Sequence, residues 1–118
     1  MRLQHVTIAI PPERVDEARA FYGGLLGLDE KPVLPKLDPA RLIWFAAGGD
    51  CELHLQLIDE APPDRPHFCL VHDALEELRA RIEAAGVETI DPTELVGRPR
   101  FMCRDPFGNL IEFARIDV

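Results

Sequence analysis

Nothing in the 118-residue chain approaches the roughly 20 consecutive apolar residues of a membrane-spanning helix. Its opening Met-Arg-Leu-Gln-His also lacks the basic region and apolar run of an export signal. Basic residues are scarce: 13 Lys and Arg stand against 21 Asp and Glu, a net charge of −8. That balance speaks against nucleic acid as a partner, because a phosphate backbone is bound by clustered Lys and Arg that displace counterions. Aromatic residues are few as well, with six Phe, one Tyr and one Trp, so a cleft that works by ring stacking alone is poorly supplied. Cysteine is limited to Cys51, Cys69 and Cys103. The odd number, the lack of a C-x-x-C spacing and the apolar run around each predict three buried free thiols and a reducing, cytoplasmic setting. What is plentiful is apolar residues, at 47%, enough for one core in a chain of single-domain size.

The order of signals along the chain repeats. Residues 3–10, LQHVTIAI, read as a strand that stops at Pro11-Pro12, where a helix can begin. Val15, Ala18, Tyr22 and Leu25 recur at helical spacing, Gly23, Gly24 and Gly27 punctuate the end, and strands are expected near 29–33, 41–47 and 51–57. HFCLVHD (67–73) then reads as a strand again. Asp73 and Glu76 form a capping pair in this reading, Leu75, Leu78, Ile82 and Ala85 a helical stripe, and Gly86 its stop. Further strands are expected near 87–90, 99–104 and 109–115. His5 to His67 spans 62 positions, Gly27 to Gly86 spans 59 and Glu52 to Glu112 spans 60, so the halves are offset copies. The expected fold is α+β, with two tandem βαβββ modules (1–58 and 66–118) joined by a Pro-rich connector (59–65) in one domain of residues 1–118. Their strands form a curved mixed sheet around a cleft.

Side chains alternate across a strand, which divides each strand into two faces. His5, Thr7 and Ala9 oppose Val6, Ile8 and Ile10, and Glu52, His54 and Gln56 oppose Leu53, Leu55 and Leu57. His67, Cys69 and Val71 oppose Phe68 and Leu70, and Leu110, Glu112 and Ala114 oppose Ile111 and Phe113. One face suits packing beneath a helix. The other carries imidazoles and carboxylates at matching places in both halves, the donor types that divalent transition ions prefer, although any single one of them could be merely solvated.

Five segments, LQHVTIAI, ARAFYGGLLGL, CELHLQL, RPHFCLV and RDPFGNLIEF, resemble successive signatures of the vicinal-oxygen-chelate superfamily of glyoxalase, bleomycin-resistance and extradiol-dioxygenase-like proteins. The most distinctive is Asp105-Pro106-Phe107-Gly108-Asn109, a tight hairpin leading into Glu112. The resemblance implies a glyoxalase-like fold and one divalent ion (Zn, Ni, Fe or Mn) held by His5, Glu52 or His54, His67 and Glu112. Glu52 is favoured because Gly48 to Glu52 and Gly108 to Glu112 have the same spacing. His54 lies two residues on along the same face, about 7 Å away. It also implies catalytic roles for Glu112 and Glu52 in isomerase or lyase chemistry through an enediolate-like intermediate on a small oxygen-bearing substrate. Ring-cleaving dioxygenation and thiol transfer belong to the same superfamily, as does non-catalytic drug sequestration. A small-molecule partner and a homodimer are expected on the same ground. Trp44 and Phe101 either wall a substrate pocket or fill the core, and Arg100, with Arg41 and Arg98, either meets an anionic substrate or is simply solvated. Cys69 reads as a structural thiol, and His72 as a packing or capping residue.

Overall fold

The β-branched run His5–Ile10 forms the first strand, β1, and Pro11 ends it, since proline has no N–H to continue the ladder. The computed structural model describes residues 1–116, and the chain divides into two compact units, Met1–Pro62 and a second from Pro63 onward.

In the first unit β1 is followed by a 3-10 turn at Pro12–Arg14, an α-helical turn α1 at Val15–Ala18, and a π-helical stretch at Arg19–Leu25. The expected helix is therefore present but not regular. Its last turn is widened, with Leu26 N–H donating to the Phe21 carbonyl five residues back at 2.9 Å. Phe21 and Tyr22 both turn into the core, and Tyr22 reaches Phe45 at 6.1 Å between ring centroids. Three strands complete the unit: β2 (Glu30–Lys31), β3 (Leu42–Ala46) and β4 (Glu52–Leu57). They assemble in the order β1-β4-β3-β2, with β1 and β4 parallel and the other pairs antiparallel.

The second unit repeats the plan with β5 (His67–Val71), α2 (Leu75–Ala84), β6 (Thr89–Ile90), β7 (Arg100–Arg104) and β8 (Leu110–Ala114), in the sheet order β5-β8-β7-β6. β5 and β8 are parallel, and the others antiparallel. Leu75, Leu78 and Ile82 bury the inner stripe of α2, while Ala85 is exposed beyond its end. Gly86, at φ 84°, takes the left-handed conformation that lets the chain leave the helix. The fold is thus α+β and glyoxalase-like, two four-stranded mixed sheets each with a helix. No helix of the described residues is long and apolar enough to cross a membrane.

Three local expectations need correction. Asp73 and Glu76 do not cap α2: Ala74 stands at the cap position with no side-chain bond. His72 serves the turn instead, its Nδ1 accepting the Ala74 N–H at 3.1 Å, which is a capping role. β2 and β6 are only two residues long, shorter than the apolar runs suggested. Of the three free thiols only Cys103 is buried; Cys51 is half-buried and Cys69 exposed, because Cys69 falls on the outward parity of β5.

Candidate functional site

Strand register decides which side chains meet. In the first unit His5 pairs with Glu52 across β1 and β4, Glu52 with Ala46, His54 with Trp44, and Trp44 with Lys31. His5, Lys31, Trp44, Glu52 and His54 therefore share one face, opposite buried Leu53 and Leu55. Three rings form a ladder there: Trp44 lies on His54 at 4.0 Å and 3°, and His54 on His5 at 4.2 Å and 17°. The Glu52 carboxylate accepts the His54 Nε2–H at 2.8 Å and is paired with the Lys31 ammonium, with only the methyl group of Ala46 opposite it on β3. Lys31 first, and His54 second, hold the Glu52 carboxyl down at about 2. It is ionised at any physiological pH. Gln4 is drawn in as well, its Oε1 2.7 Å from His5 Nδ1 and its Nε2 donating to the Asp50 carbonyl. An amide oxygen only accepts, so His5 Nδ1 carries a hydrogen.

The second unit carries its own arrangement. The buried turn before β8 is organised by Asp105, whose carboxylate accepts the Phe107 and Asn109 backbone N–H groups at 2.9 and 2.8 Å and the Asn109 side-chain amide at 2.9 Å. Gly108 supplies the positive φ of 95° that this turn needs. β8 leaves the turn with Glu112 on the polar face, in register with Cys69 on one side and Met102 on the other. Glu112 Oε2 lies 3.1 Å from His67 Nε2, and Oε1 accepts from Arg100 Nη1 at 3.3 Å. His67 Nδ1 is 3.0 Å from the Arg65 carbonyl, which can only accept, so Nδ1 carries a hydrogen. Nε2 and Oε2 would then be two electron-pair donors facing each other, and either a second proton or a cation must stand between them. Desolvation of the sulfur, with Glu112 beside it, raises the Cys69 thiol above its ordinary range, which slows it as a nucleophile although the residue is open to reagents.

Two donors bound to adjacent positions of a divalent ion at about 2.1 Å stand about 3 Å apart, and His67–Glu112 matches that spacing. The donor chemistry of this pair fits an ion. Within the first unit both Glu52 oxygens are engaged, one by Lys31 and one by His54 Nε2, the relation in which one of two neighbours orients the other. His5 and His54, stacked face to face, do not aim their in-plane electron pairs at a common point. Among the described residues no group of three His, Cys, Asp or Glu stands ready to hold an ion.

Trp44 is on the polar face, buried, with its Nε1 lacking a hydrogen-bond partner among the described residues. Phe101 is on the other face: register pairs it with Phe113, the rings stack at 5.1 Å, and the Arg79 guanidinium covers it at 5.4 Å. It fills the core, the second of its two expected roles. Lys31, Gln4 and the Arg65 carbonyl escaped the sequence reading. Lys31 was reachable in principle, since the residue opposite Trp44 on β2 follows from register, but a two-residue strand leaves no periodicity to fix that register.

The sequence matches the Glyoxalase/Bleomycin resistance protein/Dioxygenase superfamily over residues 2–113. Among solved structures it is similar to a putative glyoxalase family protein from Bacillus anthracis, at 32% identity and a TM-score of 0.90 over 99% of this chain and 96% of that one. A lactoylglutathione lyase from Agrobacterium tumefaciens has 24% identity and a TM-score of 0.72, covering 97% of this chain and 92% of that one. An antibiotic binding protein from Streptomyces sp. CB03234 has 24% identity and a TM-score of 0.74, covering 99% and 97%. The last two show the shared fold alone. Repeated βαβββ units, the Asp105–Asn109 turn and the match across residues 2–113 together establish that this chain belongs to the glyoxalase/bleomycin resistance/dioxygenase, or vicinal-oxygen-chelate, superfamily.

Proposed function

We propose that the protein is a metal-dependent enzyme of glyoxalase-like isomerase or lyase type acting on a small oxygen-bearing substrate, with His5, Glu52, His54, His67 and Glu112 as the candidate donors. The observation that carries this reading is the His67–Glu112 pair, whose facing donor atoms are bridged by either a cation or a second imidazole proton and are spaced as two ligands of one ion, and whose ring is oriented by the Arg65 carbonyl. Bound there, a divalent ion (Zn, Ni, Fe or Mn) would supply a Lewis acid for negative charge developing on substrate oxygens. The chain's own residues do the rest. Glu52 is ionised, and for one of its oxygens to accept a proton Lys31 or His54 would first have to release it. Glu112, held by Arg100, keeps its second oxygen toward His67. The free thiols suit a reducing compartment such as the cytoplasm, and the superfamily resemblance supports a homodimer.

A second reading, a binding protein that works without metal, is favoured by a different observation. Both carboxylates already carry a basic partner, Lys31 on Glu52 and Arg100 on Glu112, and the Trp44–His54–His5 ladder offers a ring surface. Metal per chain in untagged protein, repeated for His5→Ala and Glu112→Ala, separates the two. Binding of transition metal that both variants weaken supports the enzyme, and a hemithioacetal assay follows. No binding in excess metal sinks it in favour of the second reading.

A further inference from the structure

The two oxygens of Glu52 are held by partners of very different mobility. Oε1 accepts from His54 Nε2 at 2.8 Å, and Oε2 is paired with the Lys31 ammonium. His54 is fixed in place. Its side chain is only 10% exposed, with the Trp44 ring 4.0 Å away on one face and the His5 ring 4.2 Å away on the other.

Lys31 is under no such constraint. Its side chain is 40% exposed and stands on β2, the two-residue strand at the edge of its sheet. An ammonium on a flexible four-carbon stem can turn into water from there. The strand beneath it is anchored, because Arg19 donates to both oxygens of the neighbouring Glu30, at 2.8 and 3.2 Å. Lys31 can therefore leave Glu52 without any rearrangement of the sheet, and its departure opens Oε2 to water.

The pairing imposes a choice of cation. The Glu52 side chain is 11% exposed, and a carboxylate so far removed from water needs a positive partner. An ammonium and a divalent ion cannot both stand at Oε2, since like charges that close repel strongly. With Oε1 committed to a ring that is clamped on both faces, Oε2 is the oxygen at which one cation is exchanged for another.

We propose that Lys31 is a counter-cation built into the first unit, which a divalent ion displaces from Glu52, and that it thereby sets how tightly the protein holds that ion. The inference rests on the metal reading with Glu52 among the donors, and it names the partner that gives up the carboxylate.

The test is the Zn2+ affinity of the full chain, measured by competition with a chromophoric chelator. Lys31→Met should bind Zn2+ about fivefold more tightly than the parent, the upper range for a part-exposed ion pair that no longer has to be broken. Lys36→Met removes the same charge from an exposed loop and should leave the affinity unchanged. In Glu52→Gln, where the pair is already gone, adding Lys31→Met should have no effect. A second measurement keeps the test available if Lys31→Met fails to fold. Lys31 and Lys36 are the only lysines, so 13C-lysine labelling gives two ε-CH2 signals, assigned by the loss of one in Lys36→Met. Zn2+ should shift the Lys31 signal saturably and leave that of Lys36 in place. Zn2+ binding to the parent with no gain in Lys31→Met, an equal gain in Lys36→Met, a gain that persists in Glu52→Gln, or an unmoved Lys31 signal would each overturn the proposal and leave the metal reading standing. If neither the parent nor Lys31→Met binds Zn2+, both fall together.

Discussion

Asp105→Ala is the most informative single substitution, because the turn it would disturb both stabilises the second unit and delivers Glu112. Asp105 and Asn109 are 5% and 3% exposed, so water cannot readily replace the lost acceptor. Three donors lose a charged partner: the backbone N–H groups of Phe107 and Asn109 and the Asn109 side-chain amide. Phe107 is only half-buried, so its N–H recovers part of the loss from water. The two Asn109 donors would each cost about 1.5–3 kcal/mol if independent. They share one carboxylate, so about 3 kcal/mol in total is the expected loss, a large part of the 5–15 kcal/mol typical of a domain. For a chain of this length that corresponds to a fall in Tm of about 10–15 °C. Asp105→Asn keeps the same shape and one oxygen for the two backbone N–H groups, but it sets an amide against the Asn109 amide, so a loss of about 1–2 kcal/mol is expected. Scanning calorimetry on the three proteins gives the comparison. If Asp105→Ala melts within about 2 °C of the parent, or if Asp105→Asn is as damaging as Asp105→Ala, the turn does not rest on the bonds assigned to it.

Glu52 sets the acid limb of stability. With its folded value at about 2 against an ordinary 4.5, its contribution is complete above pH 4.5 and is lost as pH falls towards 2. Lys31 is substantially exposed, which limits this to about 1–2 kcal/mol; Lys31→Met should raise the Glu52 value, read by carboxyl 13C NMR, and an unchanged titration would contradict the pairing. Burial pushes the Cys103 thiol up to about 12, so thiol reagents near neutral pH should label Cys69 and leave Cys103 untouched until the protein unfolds, as mass spectrometry of the labelled peptides would show. Trp44 is the only tryptophan and lies flat on His54, so His54→Leu should change its emission directly, and an identical spectrum would argue against the ladder. Phe101→Ala should lower stability by about 3–5 kcal/mol in urea unfolding, as expected of a core ring, whereas a cost under about 1 kcal/mol would return Phe101 to the surface.

Where the sequence was readable, the reason was periodicity. Alternation in HVTIAI and ELHLQL placed Leu53 and Leu55 in the core and His5, Glu52 and His54 together on the other face, because the two-residue period of a strand admits no other division. Short elements gave no such signal. β2 and β6 have two residues each, and the π-helical turn at Arg19–Leu25 breaks the 3.6-residue spacing on which Val15, Ala18, Tyr22 and Leu25 were read. The polar partners were also invisible, since the Arg65 and Thr93 carbonyls that fix His67 and Arg100 are backbone atoms present in every residue.

The sequence by itself determined the repeated βαβββ order, the face on which each imidazole and carboxylate stands, and the Asp105–Asn109 turn, because these depend on residues close together in the chain. Tertiary structure alone decided that Lys31 meets Glu52, that Arg100 meets Glu112, and that Phe101 stacks on Phe113 rather than lining the polar face. Those meetings depend on strand order and register, and hydrogen bonding between distant segments fixes both only once the sheets have formed.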